Sequence, residues 1–315
     1  MNNQLMDEFD LIKKYFVPIS SIESQFLSND GAVFKPKKDL DYVVSTDTIV
    51  EKIHFEGNEP PDQIAKKALR TNLSDLAAMG ADPEFYSLSI SLPKAKSKSF
   101  IENFVKGLKE DQKKYKIKLL GGDLTASSQL ITITINIIGT VPSGQCISRS
   151  NSMVNDLLYV TGVLGLSNIG LLNLRKNDKK YSIAKLKYYL PQPRVEFSSS
   201  VRNFVTSMID ISDGFIQDCR HLARLSNLEF AINIKNLPIS DIDLLSYEER
   251  LNAALIGGDD YELLFTSPPA HKEKINKIAK LHGLQITNIG HVKNGKNGQV
   301  TSNSIPINIG AYKHF

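Results

Sequence analysis

The chain reads as two α/β domains, and three observations carry that reading. It is 315 residues long, more than a single core of ordinary size requires. Segments that alternate apolar and small polar residues are interleaved with segments of helical spacing. A Pro142-Ser143-Gly144 turn separates one apolar strand from the start of the next, so the domains are predicted to span 1–145 and 146–315.

The elements follow in order. Tyr42-Val-Val-Ser-Thr-Asp47 reads as a strand that Asp47 ends. Pro60-Pro61-Asp62 is a helix start, and Ile64, Ala65, Ala68, Leu69, Leu76 and Ala77 follow at helical spacing until Gly80. Tyr86 to Leu92 alternates as a strand should, and Ile131 to Ile137 does the same. Their outward faces carry Ser and Thr, a pattern that suits a sheet packed against another subunit. Phe100, Ile101, Phe104, Val105 and Leu108 mark a helix between them. In the second half Leu157 to Val160 starts an apolar strand. Phe215, Ile216, Cys219, Leu222 and Ala223 mark a helix, as do Ile275, Ile278 and Ala279 before Gly283. The Lys-rich stretch from Arg175 to Lys187 is read as a solvated surface segment. Asn294-Gly295 and Asn297-Gly298 are read as turns of a late hairpin.

Composition narrows the function. Lys and Arg number 38 against 34 Asp and Glu, a net charge of +4, which argues against a polybasic nucleic-acid binder. Two cysteines, Cys146 and Cys219, make neither a disulfide scaffold nor a four-thiolate zinc site, and point to a reducing compartment. Met1 to Phe16 mixes acids into its apolar residues, unlike a secretory signal. The apolar run from Leu130 to Val141 is broken by Thr132, Thr134, Asn136 and Thr140, too short and polar to span a bilayer. A soluble, cytoplasmic protein is expected.

The placement of the aspartates is the informative feature. Asp30 sits in Ser-Asn-Asp-Gly, Asp47 at a strand end, Asp75 inside a helix and Asp123 after a glycine pair. Asp210 and Asp213 frame Ile209-Asp-Ile-Ser-Asp-Gly214, and Asp259 and Asp260 follow Gly257-Gly258. Strand ends are where α/β proteins build sites. A single Asp there is commonly a turn or capping residue, and Asp213 is placed to cap the helix near Phe215. Asp75 is a poor helix former amid Leu and Ala. Hard carboxylate oxygens without a His or Cys cluster suit Mg²⁺ rather than zinc, and Mg²⁺ commonly serves phosphate ligands. The residues therefore suggest Mg²⁺-dependent phosphoryl chemistry. Gly290 to Asn297 approaches a phosphate-binding P-loop but ends in Asn and leads into no helix pattern.

Longer runs carry a resemblance. Val44 to Phe55, with Ser-Thr-Asp-Thr and His54-Phe55, is similar to S-T-D-T-x-V-x-G-x-H-F. Lys67 to Ala81 follows a family helix almost residue for residue, and Gly121-Gly-Asp123, Ile209 to Gly214, Gly257 to Leu263 and the terminal Tyr312-Lys-His-Phe315 follow in family order. The chain resembles the thiamine-monophosphate kinase family, within the aminoimidazole ribonucleotide synthetase superfamily. The resemblance implies the two-domain fold of that superfamily, with a C-terminal mixed α/β domain. It implies a homodimer that pairs N-terminal sheets, and transfer of phosphate from ATP to thiamine monophosphate with several Mg²⁺ ions. By resemblance, Asp30, Ser45, Thr46, Asp47, Asp75, Asp123, Asp210 and Asp213 form the metal shell, with Asp47, Asp210 and Asp213 acting in catalysis through the metals. Gly122, Arg149 and Ser212 contact ATP; His54, Asp259 and Tyr312 line the thiamine phosphate site. Both substrates are phosphate esters, and the acceptor is already largely ionised near neutral pH, so direct transfer without a general base is expected.

The chain departs from the pattern at Asn29 and Asp259, where the family has Asp and Glu, and at Lys52, where it has Gly. Leu124 replaces a Thr. Relatives in the superfamily that need a reactive Cys near either end fit less well, because the first Cys is Cys146 and the chain ends Lys-His-Phe. A non-catalytic nucleotide-binding homologue is the reading of a different class, supported by Asn29.

Overall fold

The computed structural model describes residues 6–174, 181–295, 298–303 and 305–307. Contacts divide the chain into two compact units. Unit 1 takes the chain up to Leu76 together with Asp82–Ser143, and unit 2 takes Ala77–Ala81 together with the chain from Gly144 onward.

In unit 1 a short helix α1 (Glu8–Leu11), capped by Asp7, leads through tight turns to the first strand. The order is then β1 (Leu40–Val50), α2 (Pro61–Ala78), β2 (Asp82–Pro93), α3 (Ser97–Tyr115), β3 (Lys118–Ser127) and β4 (Thr132–Pro142). The sheet order is β1-β4-β2-β3, with β2 and β3 parallel across the α3 crossover and the remaining pairs antiparallel. Alternation sorts the strands into two faces. Val43 and Ile49 of β1, Leu88, Ile90 and Leu92 of β2, and Ile133, Ile135 and Ile137 of β4 are buried. Phe100, Ile101, Phe104, Val105 and Leu108 of α3 and Ile64, Ala65, Leu69, Leu73 and Leu76 of α2 supply the helical share of the core. Burial of such side chains contributes about 1.5–3 kcal/mol each. A buried fork joins the helices: Arg70 gives two hydrogen bonds to Asp111, at 2.7 and 2.8 Å.

The opposite face of this sheet carries hydroxyls and amides. Thr46 donates to Asn136 at 2.6 Å, Thr48 pairs with Thr134 at 2.9 Å, and Val44 stands among them 64% exposed. β1 does not stop at Asp47 as its sequence suggests but runs on to Val50, because Thr48-Ile-Val is itself a good strand former that pairs with Thr132–Thr134.

Unit 2 contains β5 (Leu157–Thr161), α4 (Leu166–Leu174), α5 (Ser182–Tyr189), α6 (Val195–Val201) and β6 (Ser207–Asp210). There follow α7 (Phe215–Leu225), β7 (Glu229–Ile232), α8 (Tyr247–Ile256), β8 (Leu263–Ser267), α9 (Lys272–Leu281), β9 (Ile286–Lys293), β10 (Val300–Ser302) and β11 (Ile305–Pro306). The mixed sheet runs β11-β10-β7-β9-β5-β8-β6. β6 and β8 are buried along their whole length, as expected for strands covered on both faces. Their core joins Ile209, Phe215, Ile216, Cys219, Phe230 and Leu264.

Two readings of the sequence are corrected here. β9 and β10 are not a hairpin: each pairs with β7, which lies between them, so Asn294-Gly295 belongs to a crossing connection. Residues 296–297 of that connection lie outside the described residues. Lys187 is not part of a solvated stretch. It sits in α5 with only 13% of its side chain exposed and pairs with Glu262 at 2.8 Å, because a fully buried carboxylate demands cations. Residues 175–180 of that stretch are outside the description.

Candidate active site

Unit 1 builds one acid group where β1 meets α2. Ser45 and Asp47 are two apart on β1, so both project from the same face. Asp75 lies in α2, and the Ser45 hydroxyl donates to its carboxylate at 2.6 Å. Asn72, one turn earlier and 1% exposed, has its amide oxygen fixed on the Asp47 backbone N–H at 3.1 Å. Burial, then the nearby charge of Asp75, pushes the Asp47 carboxyl up to about 6. Thr46 falls between Ser45 and Asp47, so its side chain faces the other way and bonds Asn136; only its main chain lies beside the acids.

Asp30, Gly122 and Asp123 come together elsewhere in unit 1. They line a cavity of about 440 Å³ whose apolar wall includes Ile12, Phe16 and Leu27. Gly122 has a plain steric reason to be Gly: a Cβ there would sit 1.8 Å from the Leu88 carbonyl oxygen across the β2–β3 pair. β3 runs through the Gly-Gly-Asp segment, so Asp123 is within a strand rather than beyond its end. His54 follows a tight turn after β1. Its Nδ1 accepts the Val50 N–H at 3.0 Å, so the neutral ring carries its proton on Nε2. The buried Lys67 ammonium holds the His54 carbonyl at 3.0 Å.

Unit 2 builds a second acid group on a turn. Asp210, 3% exposed, ends β6, and the chain turns through Ile211-Ser-Asp-Gly214 into α7. Gly214 allows the turn with φ +127, and its missing Cβ leaves room for the Ile256 carbonyl. Asp213 is not the cap its position suggests. Gly214 holds the cap position without a side-chain bond, and the Asp213 carboxylate instead accepts Gln217 at 3.0 Å. The clamp on this turn is Asp218, which the sequence reading passed over. Its Oδ2 accepts the N–H groups of Asp213 and Gly214, each at 3.2 Å, from a side chain 2% exposed. Burial, then Asp210 and Asp213, push its carboxyl up to about 8. Its signal was an acid on the buried stripe of an amphipathic helix, four residues after Gly214.

The Gly257-Gly-Asp-Asp-Tyr-Glu262 segment is laid against that turn. The Asp259 N–H donates to the Ser212 carbonyl at 2.9 Å and the Tyr261 N–H to Ile211 at 2.8 Å. Ser212 therefore reaches Asp259 through its main chain. The Tyr261 hydroxyl donates to the Asp259 carboxylate at 3.0 Å. Arg149 is exposed. It influences His221, whose basicity is lowered by burial, Arg224 and Arg149 against the pull of Asp213, so Arg149 and Asp213 share a neighbourhood. Tyr312 lies outside the described residues.

Among the described residues no three His, Cys, Asp or Glu side chains meet closely enough to hold a metal by themselves. The donor chemistry nonetheless fits Mg²⁺, which takes one or two carboxylates, keeps waters and accepts phosphate oxygens. Ser45, Asp47 and Asp75 supply such a set, and the Asp47 carboxyl is pushed up first by its burial and then by the Asp75 charge beside it.

Fold and site together define an AIR synthase related protein. The family model for its N-terminal domain matches residues 28–141 and that for its C-terminal domain matches residues 154–303. Among curated proteins, the thiamine-monophosphate kinase of Buchnera aphidicola subsp. Schizaphis graminum is 37% identical, over 93% of each chain. That of Escherichia coli K12 is 35% identical over 90% of each. The chain belongs to the thiamine-monophosphate kinase family. A crystal structure of thiamine-monophosphate kinase from Stenotrophomonas maltophilia superposes with a TM-score of 0.84 at 31% identity, covering 89% of this chain and 91% of that one. AaThiL complexed with AMPPCP and TMP superposes at 0.80 with 27% identity, covering 100% of this chain and 99% of that one. A hydrogenase maturation protein in complex with ATP, 15% identical with a TM-score of 0.77, shares the fold.

Proposed function

We propose that this chain transfers the γ-phosphate of ATP to thiamine monophosphate, giving thiamine diphosphate and ADP. The observation that carries the reading is the likeness, over the full chain, to a protein complexed with AMPPCP and TMP, an ATP analogue and thiamine monophosphate. The enzyme is a phosphotransferase with a phosphate group as acceptor.

The residue roles extend that reading. Asp30, Ser45, Asp47, Asp75, Asp123, Asp210 and Asp213, with the Thr46 main chain, hold several Mg²⁺ ions. When bound, Mg²⁺ neutralises the repulsion between two phosphate esters and aligns the attack in line with the leaving oxygen. Asp47, Asp210 and Asp213 fix where those charges are countered. The Gly122 backbone, Arg149 and Ser212 hold ATP, Arg149 as a bidentate donor to phosphate oxygens. His54, Asp259 and Tyr312 line the acceptor site. Transfer is direct, with no phosphoenzyme and no general base.

The enzyme works in the cytoplasm as a homodimer and takes no nucleic-acid or membrane partner. Hydroxyls, amides and the exposed Val44 on the outer face of the unit 1 sheet support pairing of like faces. No helix among the described residues is long and apolar enough to cross a membrane. Residues 1–145 form the metal, nucleotide and dimerisation domain, and 146–315 complete both substrate sites.

The test is direct. Purified protein with Mg·ATP and thiamine monophosphate is expected to yield ADP and thiamine diphosphate in equal amounts. Phosphorylation of free thiamine instead, or no product, sinks the assignment; ATP binding without turnover would favour the non-catalytic homologue.

A further inference from the structure

The acceptor-side loop holds an unusual backbone. Asp259 and Tyr261 both have positive φ, +65 and +50, and each carries a Cβ. The left-handed conformation costs such residues about 1–2 kcal/mol apiece, and it persists only where the surroundings over-determine it.

The fixing comes from the residues that alternate with them. Asp260, fully buried, accepts the N–H groups of Gly165 at 2.7 Å and Ser167 at 3.4 Å. Glu262, also fully buried, takes both prongs of the Arg194 guanidinium, at 2.7 and 2.6 Å. It takes the Lys187 ammonium at 2.8 Å and the Thr161 hydroxyl at 2.7 Å as well. That same hydroxyl accepts the Leu263 N–H at 2.8 Å, and the Glu262 carbonyl accepts Ile211 at 2.8 Å, next to Ser212. Gly162 must lack a Cβ, since one would lie 2.3 Å from the Glu262 carboxylate.

One carboxylate thus meets two cations. Burial pushes Glu262 upward, but Lys187 and Arg194 outweigh it and hold the carboxyl below its usual range. Lys187 alone would neutralise it. What Arg194 adds is direction, because its planar fork fixes the carboxylate plane where an ammonium does not. The backbone that this plane anchors is the one that presents Asp259.

We propose that Arg194, acting through Glu262, is a positioning residue that sets the left-handed Asp259–Tyr261 backbone and so aims Asp259 at the acceptor, thiamine monophosphate. The proposal rests on the reading of Asp259 as a substrate-site residue. Nothing in it requires Arg194 to touch either substrate.

Initial rates of the full chain test it, with each substrate varied at saturation of the other, for Arg194→Met, Asp259→Ala and the double variant. Arg194→Met and Asp259→Ala are each expected to raise KM for thiamine monophosphate about tenfold, the scale of one well-placed polar contact, and to change KM for ATP less than about twofold. The double variant should be no worse than Asp259→Ala, since both changes act through one group. Equal loss toward both substrates, a fall in melting temperature alone, or additive effects with Asp259→Ala would overturn the positioning role. If Asp259→Ala leaves KM for thiamine monophosphate unchanged, the substrate-site reading fails and the proposal with it. Failure of Arg194→Met beside an effective Asp259→Ala overturns only the proposal. Should Arg194→Met not fold, Arg194→Lys keeps the charge without the fork and carries the same comparison.

Discussion

Asp47 and Asp210 are both aspartates on β-strands, yet their surroundings differ in kind. Asp47 lies within a long strand, faces a second carboxylate from a helix, and has one amide, Asn72, to steady its main chain. Asp210 closes a short strand and opens a turn whose N–H groups are clamped by a further buried acid, Asp218. The first group is rigid through secondary structure; the second is rigid through a side chain. Removing a carboxyl group should therefore have opposite consequences for stability in the two groups, through Asp47 in the first and Asp218 in the second, although loss of Asp47 or Asp210 should abolish metal-dependent work.

The largest expected effect is on turnover. Asp210→Asn and Asp47→Asn should each lower kcat by on the order of 10²–10³, as loss of a group that counters transition-state charge does. Circular dichroism should show both variants folded. Near-normal turnover at limiting Mg²⁺ for either one would remove that residue from the metal shell.

The next prediction separates the two groups through stability without divalent cations. Asp218→Ala leaves the N–H groups of Asp213 and Gly214 without their acceptor and should destabilise by about 1–3 kcal/mol. Asp218→Asn keeps an acceptor and should cost well under half of that, because the native carboxyl, pushed up to about 8, already holds its proton at neutral pH. Urea melts of both variants check this; an Asn variant as unstable as the Ala variant would show that the clamp needs a charge.

Asp47 should behave in the opposite sense. The folded protein keeps its proton up to about pH 6, whereas the unfolded chain loses it near pH 4. The folded state therefore binds more protons in that window, and stability falls as pH rises through it. In EDTA at pH 7, Asp47→Asn should melt a few degrees above the parent, at roughly 2–4 °C per kcal/mol recovered, with the difference vanishing near pH 4. A lower melting temperature at pH 7 would contradict the electrostatic account.

The smallest effect concerns the turn before His54. Lys52 holds φ +69, where the family pattern has Gly. Lys52→Gly should change stability by no more than about 1 kcal/mol, relief of the left-handed backbone being offset by the freer unfolded chain. Differential scanning calorimetry would detect a larger loss, which would mean that the Lys52 contact with the Glu56 carbonyl matters more than its backbone.

What the sequence made legible is what has a short period. The alternation of Tyr86 to Leu92 became β2, and the spacing of Phe100 to Leu108 became the buried side of α3. Gly80 took φ +72 just past α2. The run of Ile209 to Gly214 was legible as an acid-Gly turn after an apolar strand, although the Asp218 clamp that holds it was not. Contacts between distant segments were not legible. Asn72 on Asp47, Arg194 and Lys187 on Glu262, and the insertion of β7 between β9 and β10 depend on pairings that no local pattern encodes. Thr46 is a different case: successive side chains on a strand point to opposite faces, so its hydroxyl turns to Asn136 and only its main chain stays beside Ser45 and Asp47.

The pairing of β1 with β4 also bears on how the protein is made. Leu40 lies opposite Pro142, so β1 leaves the ribosome with its partner roughly 100 residues unsynthesised, an interval of about 5–20 s at ordinary elongation rates. During that time an eleven-residue strand with apolar Tyr42, Val43, Val44, Ile49 and Val50 has no ladder to join. Asp41, Ser45, Thr46, Asp47 and Thr48 interrupt the apolar run. Ser45, Thr46 and Asp47, which read as metal ligands, stand with Asp41 and Thr48 as polar interruptions of the kind that keep an unpaired strand from sticking to another.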